Sequence, residues 1–136
     1  MSEGLSVFAY GTLLVPEIAL AVVGRLPVSC RAELHGFARY LVKHEVYPGV
    51  IPEPGAVVAG MLYSDVRQRE LALLDEYEGP TYERREVEVR LVPADVRVRA
   101  QCYVVREALS DVLSAEPWDL DHFVQHHCAE FRVAWH

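Results

Sequence analysis

The sequence lacks the short motifs that mark the commonest phosphate, cofactor and hydrolase sites. It has no G-x-x-x-x-G-K-[ST] loop, no G-x-G-x-x-G, no G-x-S-x-G and no S-x-x-K. ATP hydrolysis, dinucleotide binding and elbow-type serine hydrolysis thereby lose their main signatures. Positive charge is scarce, with 13 Lys+Arg against 20 Asp+Glu and a net charge of −7. Nucleic-acid affinity rests on basic side chains that neutralise phosphates, so no nucleic-acid partner is expected. Cys30, Cys102 and Cys128 are an odd, widely spaced set without a C-x-x-C pair. That is no disulfide framework, and it fits a reducing compartment. Apolar stretches reach only about ten residues and are interrupted by Gly, Thr or Pro, too short for a spanning helix. The opening MSEGLSVFAY carries neither a basic n-region nor an A-x-A site. Together these absences predict a cytoplasmic protein with no membrane partner.

What remains has globular proportions: 136 residues, 51% hydrophobic and 24% charged. One domain over residues 1–136 is expected, long enough to bury roughly two-thirds of its unfolded surface. Leu5–Ala9 is a short apolar run with the character of a buried strand. Pro16 and Gly24 bracket EIALAVV as a helix over 16–23. Ala32–His44 predicts one or two strands, whereas Tyr47–Gly55, with three prolines and two glycines, predicts a loop. A strand follows over 57–63, then a helix over 66–77 capped by Ser64-Asp65 and stopped by Gly79-Pro80. Val87, Val89 and Leu91 alternate with charged residues, as do Val96, Val98, Ala100 and Cys102, around Pro93-Ala94-Asp95. This alternation predicts an antiparallel hairpin over 85–92 and 96–105. Leu120, Phe123, Val124, His127, Cys128 and Phe131 predict one last helix over 118–131. Strands outnumber helices and several are antiparallel, which makes the class α+β.

Three groups of residues are candidates for chemistry. His122, His126 and Glu130 share one face of the last helix, and imidazoles at i and i+4 can bind zinc. That face also holds Asp119 and lies opposite the apolar stripe, so it is read as a solvated surface and no metal is expected. The second group is FAYGTLLVP, where a strand runs through Tyr10, Gly11, Thr12 and Leu13 into a helix. Backbone N–H groups in such a turn suit a carboxylate or an oxyanion. Taken alone, it is also an ordinary strand-to-helix turn. The third is LDEYEGPTYERREV, where Asp75, Glu76 and Glu78 crowd the negative end of a helix. Like charges and burial raise a carboxyl pKa and make a general base, and Glu78 precedes a chain reversal that can aim it into a pocket. A solvated acidic helix end is the bland alternative.

VFAYGTLL, YPGVIPEPGAVVAGMLY, LDEYEGPTYERREVEV and WDLDHF, in that order, resemble the gamma-glutamylcyclotransferase-like family. The likeness is to its plant avirulence-induced-gene branch and microbial relatives. It implies a small mixed β-barrel surrounded by helices. It puts the substrate-cradling loop on Tyr10, Gly11, Thr12, Leu13, Leu14 and Val15, and the catalytic glutamate on Glu78. Tyr82 and Arg84 fall in the same motif, as pocket-lining candidates. The implied reaction releases 5-oxoproline from a γ-glutamyl amine or γ-glutamyl amino acid. It takes no cofactor, because nucleophile and electrophile belong to one small-molecule substrate. A reference Glu near 4.3 facing an amine near 8 falls short by about 5 kcal/mol. Glu78 is therefore expected at about 6–7, raised by Asp75, Glu76 and burial. A non-catalytic binder of the same fold is the alternative, and an interaction module using the 85–105 hairpin is a more distant one.

Overall fold

The computed structural model describes residues 4–135. Five strands, β1 (Leu5–Ala9), β2 (Ser29–Leu41), β3 (Pro48–Val66), β4 (Tyr82–Leu91) and β5 (Arg97–Val105), close a barrel in the order β1-β3-β2-β4-β5. Helices α1 (Pro16–Val23), α2 (Gln68–Glu78), α3 (Leu120–His126) and α4 (Cys128–Trp135) accompany it. The sheet is mixed: β1 runs parallel to β5 through Val7↔Gln101, and the remaining ladders are antiparallel. The apolar run of β1 is explained by burial on both faces. Phe8 points into the barrel with Leu34, Val50 and Val104, whereas Val7 and Ala9 face the layer of Ile18, Leu71, Leu74 and Phe123.

The segment 47–55 is not a loop. β3 starts at Pro48 and pairs with β2 through Pro48↔Leu41, Val50↔Arg39 and Pro52↔Phe37. β1 reaches only Met61–Val66, so this first part of β3 has a free edge where a missing proline N–H breaks no ladder. The register jumps between His35↔Val57 and Phe37↔Pro52. Gly36 at φ 84 and Gly55 at φ 85 supply the left-handed backbone this bulge needs. The hairpin can thus bend and project past the end of β1.

Three boundaries also differ from expectation. Ser64 and Asp65 remain in β3, and α2 starts after Arg67, whose N–H donates to the Glu70 carboxylate at 2.8 Å. β4 begins at Tyr82 rather than 85, so Tyr82 and Arg84 are strand residues. The last helix breaks in two at His127 (φ −131, ψ −19), and Val124 faces solvent. Among the described residues, no helix is long and apolar enough to cross a membrane.

Candidate active site

One end of the barrel gathers the end of β1, the start of β3, the end of α2, the start of β4 and the end of β5. They enclose a cavity of about 230 Å³ lined by Phe8 through Leu13, Tyr47, Pro48, Tyr77, Glu78, Tyr82, Tyr103 and Phe131. Tyr10–Leu13 and Glu78 are more than 60 residues apart in the chain yet face one space. Antiparallel β1 and β3, with β5 parallel to β1, bring these element ends to the same side.

The walls are tyrosines whose hydroxyls are committed. Tyr10 donates to the Tyr103 carbonyl at 2.6 Å, and Tyr82 to the Pro48 carbonyl at 2.7 Å. Tyr103 donates to Asp75 Oδ1 at 2.7 Å, while Thr12 Oγ1 and the Tyr77 hydroxyl share a 2.6 Å hydrogen bond. Burial pushes all four phenols above their usual range, so they stay protonated near neutrality. Tyr47 and Phe131 meet edge to face at 6.5 Å on another side, with burial and Glu45 holding the Tyr47 phenol at about 12.

The loop after β1 leaves several donors free. A short 3-10 turn over Thr12–Leu14 bonds the Leu14 N–H to Gly11 O and the Val15 N–H to Thr12 O. No acceptor among the described residues takes the N–H groups of Gly11, Thr12 or Leu13, although all three residues are buried. Buried backbone donors seldom go unused, which makes this row a place for anionic or carbonyl oxygens.

Glu78 is the last residue of α2, and Gly79 at φ 78 turns the chain away beyond it. Glu78 is half-buried and lines the cavity, where neighbouring side chains shield its carboxyl from bulk water. That burial alone raises its pKa from 4.5 to about 8. Asp75 and Glu76, expected to assist, play no part in the rise. Asp75 is instead held by Arg84 Nε at 2.9 Å and by Tyr103. The cavity lining contains no Lys, Arg or His, and Glu78 is the lone carboxyl among the described wall residues.

Of the candidates from sequence, Tyr10, Gly11, Thr12, Leu13, Glu78 and Tyr82 line the cavity. Leu14 and Val15 do not, because the 3-10 turn swings them into the apolar layer under α1. Arg84 lies outside as well, bonding Asp75 and, at 3.0 Å, Gln101 Oε1, where it braces α2 against the β4–β5 hairpin. His122 and His126 stack at 4.5 Å on the exposed face of α3, and no cluster of three or more ligating side chains that could hold a metal occurs among the described residues. Sequence reasoning missed Tyr47, Pro48, Tyr103 and Phe131 as wall residues. Their signal was weak: aromatic or proline residues scattered over separate parts of the chain.

The match to known proteins is extensive. Residues 7–120 fit the family model described as gamma-glutamyl cyclotransferase, AIG2-like. AIG2-like protein C of Arabidopsis thaliana is 33% identical over 127 residues, covering 93% of this chain and 73% of that one. An Arabidopsis thaliana protein solved in solution superposes with a TM-score of 0.76 at 29% identity, over 99% of this chain and 82% of that chain. A solved gamma-glutamyl cyclotransferase has the same fold, with a TM-score of 0.68 at 22% identity over 76% of this chain and 68% of that one. The chain, with its closed barrel and flanking helices, belongs to the AIG2-like gamma-glutamyl cyclotransferase family.

Proposed function

We propose that this protein is a cofactor-independent cyclotransferase that releases 5-oxoproline from a γ-glutamyl amine or γ-glutamyl amino acid. One observation carries the proposal: a carboxyl with its pKa raised to about 8 shares a cavity with a row of N–H groups, and neither meets a cation or an acceptor among the described residues. Such a cavity suits a γ-glutamyl group. Its ammonium supplies the positive charge that buried Glu78 lacks, and its carboxylate and γ-carbonyl oxygens match the N–H row of Gly11, Thr12 and Leu13.

The reaction needs three things from the protein: a folded substrate, a proton acceptor and charge stabilisation. The Glu78 carboxylate takes a proton from the α-ammonium. The freed amine nitrogen attacks the γ-carbonyl carbon, and the resulting oxyanion is held by the loop N–H groups. Glu78 then gives that proton to the departing nitrogen as the γ-amide C–N bond breaks, and the second proton on the ring nitrogen passes through Glu78 to the released amine, which leaves as an ammonium. The products are 5-oxoproline and a free amine or amino acid, and no water is consumed. A base near 8 facing an amine near 8 makes the first proton transfer almost neutral in free energy. That match exceeds the value of 6–7 expected from sequence.

The test is 5-oxoproline release from a panel of γ-glutamyl amines and γ-glutamyl amino acids, by the native protein and by Glu78→Gln. Turnover by the native protein, abolished in the variant, supports the assignment. Tight binding of a panel member without any 5-oxoproline would favour the non-catalytic binder.

A further inference from the structure

Arg39 and the WDLDHF segment lie behind the cavity and take no direct part in the reaction above. Arg39 projects from β2, and its Nη1 donates to the Tyr10 carbonyl at 2.8 Å and to the Ala59 carbonyl at 3.3 Å. Its guanidinium sits 5.3 Å from the centre of the Trp118 ring. Trp118 is itself buried, and its Nε1 donates to the Val46 carbonyl at 2.9 Å, beside the wall residue Tyr47. Burial works against the Arg39 charge and the Asp119 carboxylate supports it. A guanidinium keeps its proton in such surroundings, so a permanent cation rests on the loop.

The position of that cation matters because Tyr10 O and the Gly11 N–H belong to one peptide unit. In a planar trans peptide the N–H points opposite to the C=O. With Arg39 on the oxygen, the Gly11 N–H is directed away from the guanidinium. Gly11 lines the cavity and Arg39 does not. A cation on the carbonyl also draws electron density through the amide and makes its N–H a stronger donor. Arg39 can therefore favour negative charge in the cavity without entering it, where it would neutralise Glu78 and repel the substrate ammonium.

We infer that Arg39, seated on Trp118, is a positioning residue that fixes and polarises the Tyr10–Gly11 peptide, so that the Gly11 N–H stabilises the oxyanion. The oxyanion rests on the cyclotransferase assignment; the peptide geometry does not. Arg39→Met removes both charge and donor, Arg39→Gln keeps a neutral donor, and Arg39→Lys keeps a charged one. Each variant is compared with the native protein in kcat, KM, thermal midpoint and the amide resonances of Gly11, with 5-oxoproline added as a probe. Arg39→Met and Arg39→Gln should lower kcat about 10- to 100-fold, with KM within about threefold. Arg39→Lys should recover kcat to within about threefold, and the Gly11 amide should shift in the Met and Gln variants and return in the Lys variant. An unchanged kcat and Gly11 amide in a folded Arg39→Met protein would overturn the inference. So would equal losses of kcat and thermal midpoint in all three variants, which mark a purely structural residue. If the native protein releases no 5-oxoproline, the cyclotransferase assignment falls, and the Gly11 resonances alone decide whether Arg39 polarises the peptide.

Discussion

Glu70 and Glu78 sit in the first turn and at the last residue of α2, and their surroundings give them opposite properties. Glu70 is 2% exposed and accepts Arg25 Nε at 2.6 Å, Arg25 Nη2 at 2.7 Å and the Arg67 N–H at 2.8 Å. These partners hold its carboxyl below the usual range. The positive end of the helix dipole favours its charge as well. Among the described residues Glu78 has neither a cation nor a bonded N–H, and burial lifts it to about 8. Burial by itself therefore does not decide what a carboxyl becomes. A partnered one fastens α1, α2 and the end of β3 together, whereas one without a partner among the described residues holds its proton to about pH 8 at the expense of stability.

The sharpest way to break this comparison is to neutralise each carboxylate in turn. Glu78→Gln keeps the shape but cannot accept the ammonium proton, and kcat should fall by about 10²–10⁴. Glu70→Gln should leave kcat within about threefold when measured well below its own thermal midpoint. Initial rates of 5-oxoproline release on both variants check the pair. Equal losses would mean that α2 acts as one rigid unit and that Glu78 has no special chemistry.

The next largest effect is on stability, where the two substitutions should act with opposite sign. Glu70 has a lowered folded pKa, so its contribution is present above the ordinary 4.5 and lost as pH falls through its folded value. Glu78 has a raised one, so its contribution is complete below 4.5 and lost as pH rises through about 8. The full rise corresponds to nearly 5 kcal/mol, and the cavity's opening to solvent reduces this to about 2 kcal/mol. Glu78→Gln should therefore match the native protein near pH 5 and exceed it by about 2 kcal/mol at pH 8.5. Glu70→Gln should be less stable than the native protein at pH 7, and the deficit should shrink as pH falls from 4.5 through the lowered folded value of Glu70. Denaturant titrations across this range give both curves. A Glu78→Gln protein less stable than native at pH 8.5 would reveal a cationic partner for the carboxylate.

How far these two environments could be read beforehand depends on the distance over which each signal acts. Pro16, Gly24, Gly79-Pro80 and the alternation around Val87–Leu91 and Val98–Cys102 act locally, and the elements they predict are present. Glu78 was legible as a carboxyl poised before a chain reversal. Burial, one of the expected causes of its raised pKa, is the one that acts; Asp75 is no help because it is occupied by Arg84 and Tyr103, which arrive from β4 and β5. Pro48, Pro52 and Pro54 looked like loop residues because their tolerance in β3 depends on β1 ending early, a tertiary fact. The Glu70–Arg25 pair and the Arg39–Tyr10 contact span 45 and 29 residues and leave no periodic trace. Local pattern and the family resemblance singled out Glu78, and only the assembled barrel shows that no partner among the described residues reaches it.

The smallest effect is the most specific, since it tries to turn Glu78 into a residue like Glu70 by giving it a cation. Tyr47 lines the cavity, and the Glu78 carboxylate adds to the rise of its phenol pKa. Tyr47→Lys places an ammonium on that wall, and an opposite charge at short range draws a carboxyl pKa down, here from about 8 to about 7. The acid limb of kcat/KM reports the ionisation of free enzyme and free substrate. The substrate is common to both proteins, so any movement of this limb belongs to Glu78. At pH 6.5 a group at 8 is roughly 3% ionised and one at 7 roughly 24%, so relative activity at the acid end should rise about eightfold. At pH 9 the same variant should be slower than native, because the base is weaker and the lysine competes with the substrate ammonium. Tyr47→Phe is the control. The phenol it removes, held at about 12, is neutral throughout this range, so the limb should stay where it is. A limb that moves equally in both variants would mean that the Tyr47 ring, not the charge, governs access to Glu78. A limb that moves in neither would mean that Glu78 is not the group that titrates in catalysis.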